Sequence, residues 1–126
     1  MSVTSKNYVE LACRTEAPVD DEVIRRAISV LRLDHASKGM DTEVGEFTDA
    51  LKRFVFYGRP LDRTNCVEEL GDLMWYVALA CDALGVTLET VMASNIAKLQ
   101  ARYPQKFTEN AALVRDLDKE REALEK

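Results

Sequence analysis

This chain predicts an all-α fold, an antiparallel helical bundle, and three observations carry that expectation. Apolar residues recur at helical spacing along most of its 126 residues. Capping residues open the periodic stretches, and glycine or proline closes them. Strand patterning is almost absent. The length suits one domain spanning residues 1–126, large enough for a real core but small for a deep cavity.

Residues 4–15 carry Tyr8, Leu11 and Ala12 at helical spacing, enough for a short first helix. Pro18 breaks it, and Asp20 or Asp21 caps the next. Val23, Ile24, Ala27, Ile28, Leu31 and His35 predict a second helix over 21–37, closed by Gly39 as a C-cap residue. His35, the sole histidine, reads as a boundary residue rather than a ligand. A third helix begins at Asp41 or Thr42. Its end is set by geometry, because it must bring its acids level with those of the fourth. Running to Tyr57 would leave Glu43 and Glu46 roughly 19 Å from its end, against about 11 Å for Glu69 and Asp72 from a start at Arg63. Ending near Arg53 matches the two, so FVFYGRPLD is expected to be largely non-helical connection. Asp62 then caps a fourth helix over 63–84, ended by Gly85. Thr87 caps a fifth, which stops at Pro104. Residues 109–126 predict a charge-rich terminal helix with a thin stripe of Ala112, Leu113, Leu117 and Leu124, free to fray or to pack on a partner subunit.

Four acids stand out. Glu43 and Glu46 lie three apart on the third helix, and Glu69 and Asp72 repeat that spacing on the fourth. Residues three apart share one helix face. Each pair flanks an apolar stripe: Met40, Val44, Phe47, Leu51 and Phe54 on one helix, and Val67, Leu70, Met74, Val77, Cys81 and Leu84 on the other. Solvated acids would prefer the far face, with a basic residue four positions on. The i+4 neighbours of Glu46, Glu69 and Asp72 are instead Ala50, Leu73 and Tyr76. Carboxylates converging at a core boundary repel, and a divalent cation with hard oxygen ligands, Mg²⁺ or Mn²⁺, is the simplest compensation. An isolated ExxE or ExxD spacing usually means an ordinary acidic face; two matched pairs joined by a short loop favour metal. Lys98 and Arg102 lie four apart on the fifth helix, which is equally readable as a basic helix end complementing the dipole.

The net charge of −5 argues against general nucleic-acid binding. Cys13, Cys66 and Cys81 are scattered and unpaired in spacing, as reduced thiols of a cytoplasmic protein would be. No signal peptide opens the chain and no apolar run approaches the ~20 residues of a membrane span. The apolar bulk of Val55, Phe56, Tyr57, Trp75 and Tyr76 exceeds what one small bundle buries, so symmetric oligomerisation is expected.

Taken in order, GMDTEVGEF, EELGDLMWY and NIAKLQARYPQKF resemble the MazG-like, all-α nucleoside triphosphate pyrophosphohydrolases, over roughly residues 8–108. The resemblance implies hydrolysis of a (deoxy)nucleoside triphosphate to the monophosphate and pyrophosphate. It implies two or more Mg²⁺ or Mn²⁺ ions per site, held by Glu43, Glu46, Glu69 and Asp72, in a homodimer or homotetramer. Glu46 or Glu43 would accept the proton of the attacking water. It also implies that Asn95, Lys98, Arg102 and Tyr103 help hold the phosphates, with Lys52 and Tyr57 near the mouth. Thr42 stands where the family pattern often has an acid, so either an acid that helps activate water is missing here or Glu68 substitutes for it from the neighbouring helix. Compact members of the family point to a purine such as (d)GTP, with dUTP, dCTP and non-standard nucleotides as alternatives. Two rival classes are a carboxylate-bridged di-iron bundle, which wants ExxH motifs this chain lacks, and a non-catalytic oligomerisation or regulatory module.

Overall fold

The computed structural model describes residues 2–126. Among them are seven helices: α1 (Ser5–Cys13), α2 (Asp21–Ser29), α3 (Leu31–Tyr57), α4 (Arg63–Leu84), α5 (Leu88–Arg102), α6 (Glu109–Leu113) and α7 (Leu117–Leu124). The all-α expectation holds, and no strand occurs among the described residues. The chain forms two compact units, one ending at Leu31 and one running from Arg32 to Lys126.

In the N-terminal unit the Thr4 amide donates to Asn7 Oδ1 at 2.8 Å, opening α1. Asp20 caps α2 by accepting from the Val23 amide at 2.9 Å. The single helix expected over 21–37 does not form. Ser29 Oγ donates to the Arg26 carbonyl at 2.7 Å, a local bond that competes with the helical ladder. Val30 then leaves helical geometry at φ −116°, and a new helix starts at Leu31.

α3 corrects two further expectations. Gly39 does not cap a helix; it lies buried inside α3. A Cβ there would stand 2.2 Å from Cε1 of Tyr76, so the bare glycine is what lets the tyrosine ring rest on the α3 backbone. The helix also does not stop at Arg53 but continues through Phe54, Val55, Phe56 and Tyr57. Gly58, in the left-handed region at φ 62°, ends it, and the Arg59 amide donates back to the Arg53 carbonyl at 3.2 Å. The longer helix does not carry its acids past those of α4. The five linker residues 58–62 can span ~17 Å at about 3.4 Å each. That is enough to cross the 8–10 Å typical between helix axes and still absorb an axial offset near 8 Å.

α3 and α4 run antiparallel, as their contacts show. Arg32 pairs with Asp82 at 2.6 Å, His35 and Gly39 meet Tyr76, and Glu43 meets Glu69 and Asp72. Asp62 caps α4 by accepting from the Asn65 amide at 3.0 Å, and Gly85 ends it at φ 68°. Thr87 caps α5 through the Thr90 amide at 3.1 Å, and the helix gives out at Tyr103, before Pro104.

The terminal helix expected over 109–126 is two helices, interrupted at 114–116, with Asp116 capping α7 through the Lys119 amide at 3.0 Å. The interruption lets Arg115 reach Glu120, which is only 4% exposed: Nη2 lies 2.5 Å from Oε2 and Nε 3.2 Å from Oε1. Those hydrogen bonds, ahead of the charges of Arg115, Arg102 and Lys98, hold the Glu120 carboxyl below its ordinary value of 4.5. A lowered folded-state pKa contributes stability above the unfolded value and loses it as pH falls through the folded value. The docking of α7 is therefore expected to weaken below pH 4.5, the ordinary value. Circular dichroism of the chain and of Glu120→Gln across that window checks this; the variant should lose the acid-side step.

The apolar core is thin. Ala36, Ala50 and Cys81 are its buried members, and no large side chain is fully enclosed among the described residues. Phe56 stays 77% exposed, Val67 69% and Trp75 58%. No single helix among the described residues is long and apolar enough to cross a membrane.

Candidate metal centre

The antiparallel register brings three of the four acids together. One carboxylate oxygen each from Glu43, Glu69 and Asp72 lies within 4.8 Å of the others. Glu69 is buried, Glu43 half-buried and Asp72 exposed, so the group opens from the core to the surface. Glu46 is outside this group. It is exposed and lines a neighbouring cleft of about 800 Å³ together with Glu68, Glu69, Asn65, Arg53 and Arg59. Glu43 and Asp72 line a second hollow of about 330 Å³ with Trp75 and Tyr76. The three acids thus stand where two hollows meet.

Electrostatics makes the same group unusual. None of Glu43, Glu46, Glu69 and Asp72 forms a salt bridge among the described residues; the ion pairs involve other acids. The Glu43 carboxyl is raised above 4.5, first by desolvation, then by the charge of Glu46, by a hydrogen bond shared with Glu69, and by the charges of Asp72 and Glu69. Crowded carboxylates with no basic partner form a donor set fitted to a hard divalent cation. Protons and cation would compete for it, so binding weakens as pH falls.

Asn65 was not singled out from the sequence. It donates from Nδ2 to Glu69 Oε1 at 2.6 Å, orienting one oxygen of the buried acid. Its position one turn before Glu69 on the same face was the available signal. Tyr76 is held from three sides, by Gly39 beneath it, the edge of Trp75 at 4.9 Å and His35 at 5.8 Å. His35 itself is exposed, and its contact there is this edge-on approach to the tyrosine ring. Thr42 turns back on its own helix, donating to the Gly39 carbonyl at 2.8 Å.

Of the predicted phosphate-binding cations, Lys52 and Arg102 are engaged with other groups. Lys52 and Arg53 both pair with Asp49, at 2.8 and 2.6 Å, which lowers the Asp49 pKa and raises that of Lys52. Tyr57 ends α3 in the open. On α5, Asn95 is exposed and Lys98 half-buried. Arg102 donates to the carbonyls of Ala111 and Ala112 at 3.2 and 2.8 Å and lies 3.8 Å from Glu120. Its guanidinium also lies 5.2 Å from the centre of the Tyr103 ring, which is tilted against Phe107.

A helical pair presenting facing carboxylates defines a class, and comparison with known proteins identifies it. The family model of the MazG nucleotide pyrophosphohydrolase domain matches residues 35–107, more than half of the chain. The protein belongs to this family, whose members are nucleoside triphosphate pyrophosphohydrolases. It is also similar to the Gene 37 protein of Mycobacterium phage L5, with 36% identity over 81 residues, covering 59% of this chain and 68% of that protein. No solved structure matches.

Proposed function

We propose that this enzyme hydrolyses a (deoxy)nucleoside triphosphate between its α- and β-phosphates, giving the monophosphate and pyrophosphate, with Mg²⁺ or Mn²⁺ held by Glu43, Glu69 and Asp72. The convergence of those three carboxylates within 4.8 Å carries this reading. When bound, the cation supplies charge neutralisation on the phosphate oxygens and lowers the pKa of the attacking water. The chain's own residues do the remaining work. Asn65 fixes the orientation of Glu69. Glu46 lines the cleft beside Glu69 yet stands apart from the acid group, which leaves its carboxylate available to take the water's proton. As the new bond to the α-phosphorus forms and the bond to the bridging oxygen breaks, pyrophosphate leaves with added charge. Lys98 and Arg102 are assigned to it, with Asn95 and Tyr103 beside them on the same helical segment, and Lys52 and Tyr57 at the approach. A purine such as (d)GTP is the proposed substrate.

The reading includes self-association. Phe54, Val55, Phe56, Val67 and Trp75, all on α3 or α4, expose apolar surface that a second copy would cover. The proposed compartment is the cytoplasm.

Two measurements test the proposal. Screening the eight common ribo- and deoxynucleoside triphosphates plus dUTP for pyrophosphate release should give one clear preference, dependent on Mg²⁺ or Mn²⁺; silence across the panel would refute the substrate class. Thermal melting should also respond to the cation, because a ligand at 100 times its dissociation constant stabilises the native state by about 2.7 kcal/mol. A melting temperature that moves no more with Mg²⁺ than with matched sodium chloride would remove the metal from the account.

A further inference from the structure

The C-terminal segment carries a feature that the catalytic reading does not use. Glu120 is the one buried residue of α7, and α6 has none. Leu113 and Leu117 remain 77% and 61% exposed. Beside the half-buried Ala111, Ala112 and Ala123, polar contacts therefore contribute much of what holds the segment to α5. Those contacts are lopsided in charge. Arg115 binds Glu120 through two nitrogens, Arg102 lies 3.8 Å away, and the charge of Lys98 also bears on the carboxylate. One buried negative charge thus lies within 4 Å of two guanidinium groups, with the charge of Lys98 adding to theirs, in a protein whose net charge is −5. Lys98 forms no salt bridge, and neither Arg102 nor Arg115 pairs with any acid other than Glu120 among the described residues.

We propose that Lys98, Arg102 and Arg115 form an oligophosphate-binding seat, which the Glu120 carboxylate fills in the free chain and vacates when a polyphosphate tail arrives. A single carboxylate neutralises one of the three cations. A pyrophosphate group carries several negative charges and more acceptor oxygens, so it satisfies the seat better. Arg102 is the pivot of the exchange. With α6 docked, its Nε and Nη2 donate to the Ala111 and Ala112 carbonyls, which fixes the guanidinium and leaves its remaining N–H groups for phosphate oxygens once α7 departs. Arg115 enters as a third phosphate contact, and α7 acts as a strap occupying the seat in competition with substrate. This rests on the assignment of α5 to the leaving pyrophosphate; the existence of the seat does not require turnover.

The test is hydrogen exchange of the α7 amides, residues 117–124, in the metal-free full-length chain titrated with inorganic pyrophosphate. Exchange is expected to accelerate saturably. Loss of a charge-assisted competitor in Glu120→Gln should move the half-saturating concentration down by roughly tenfold. Matched sodium chloride is expected to leave α7 protected. The proposal is overturned if pyrophosphate leaves exchange in α7 unchanged or slows it, or if chloride at equal ionic strength has the same effect. Should the variant's α7 be already undocked, the titration of the unmodified chain decides alone. The two readings separate: pyrophosphate-driven release without nucleotide hydrolysis keeps the seat and sinks the catalytic assignment, whereas hydrolysis without release does the reverse.

Discussion

Replacing Glu69 by glutamine is expected to cut pyrophosphate release by about two to three orders of magnitude, the scale seen when one preorganised electrostatic contact is removed from a reacting centre. The variant keeps the shape of the side chain and can still accept from Asn65 Nδ2, so packing is preserved and one charge is lost. That makes stability diagnostic. In the metal-free protein Glu69 is buried beside two other carboxylates, and deleting its charge relieves repulsion. The melting temperature without cation should rise, and its increment on adding Mg²⁺ or Mn²⁺ should shrink. A purely structural Glu69 would behave oppositely, with lower stability and an unchanged response to cation. Near-normal turnover in the variant would end the proposal that these acids hold the catalytic ion. Asn65→Ala is a graded companion, since removing a group that orients a ligand costs about 10–100-fold in metal affinity or activity.

Much of this architecture was legible in local chemistry. Asp62 and Thr87 accept from the amides three residues on, as capping side chains do, and Gly85 takes the left-handed conformation that ends a helix. The three-residue spacing of the acids on two adjacent helices correctly placed Glu43, Glu69 and Asp72 on facing surfaces. What was not legible depends on residues distant in the chain. Gly39 looks like a terminator by type, but its meaning is set by Tyr76, whose ring occupies the space a side chain would need. Phe54 to Tyr57 combine aromatic and β-branched types that favour strands in isolation, yet the helix continues until Gly58 supplies a positive φ. Face assignment from spacing also cannot fix how far each side chain reaches across a helix pair, which is why Glu46 faces the cleft and Glu43 the acid group. At the C-terminus a thin apolar stripe suggested one helix. The pairing of Arg115 with a buried Glu120, invisible to periodicity, accompanies a break into two.

Gly39→Ala is expected to be the most damaging single-methyl change in this protein. The added Cβ would lie 2.2 to 2.3 Å from three atoms of the Tyr76 ring, well inside van der Waals contact. The ring has little room to yield, because Trp75 and His35 both meet it edge-on. Relief requires α3 and α4 to separate or Tyr76 to leave its rotamer. Overpacking of this kind costs typically 1–3 kcal/mol, whereas glycine to alanine inside an unencumbered helix would gain up to about 1 kcal/mol. At roughly 4–8 °C per kcal/mol for a chain near this size, the melting temperature should fall by about 5–20 °C. Gly45→Ala supplies the control, for it lies on the same helix with nothing within 4 Å of the position its new methyl would take, and it should be neutral or stabilising. Tyr76→Ala combined with Gly39→Ala should recover part of what the glycine change alone loses, since the obstacle is then gone. The consequence reaches the chemistry because Tyr76 lines the same hollow as Glu43 and Asp72. A shift of α3 against α4 moves Glu43 relative to Glu69 and Asp72, so Gly39→Ala should also blunt the cation-induced rise in melting temperature. If the variant melts with the parent and responds fully to Mg²⁺, the tyrosine–backbone contact does not set the spacing of the two acid-bearing helices.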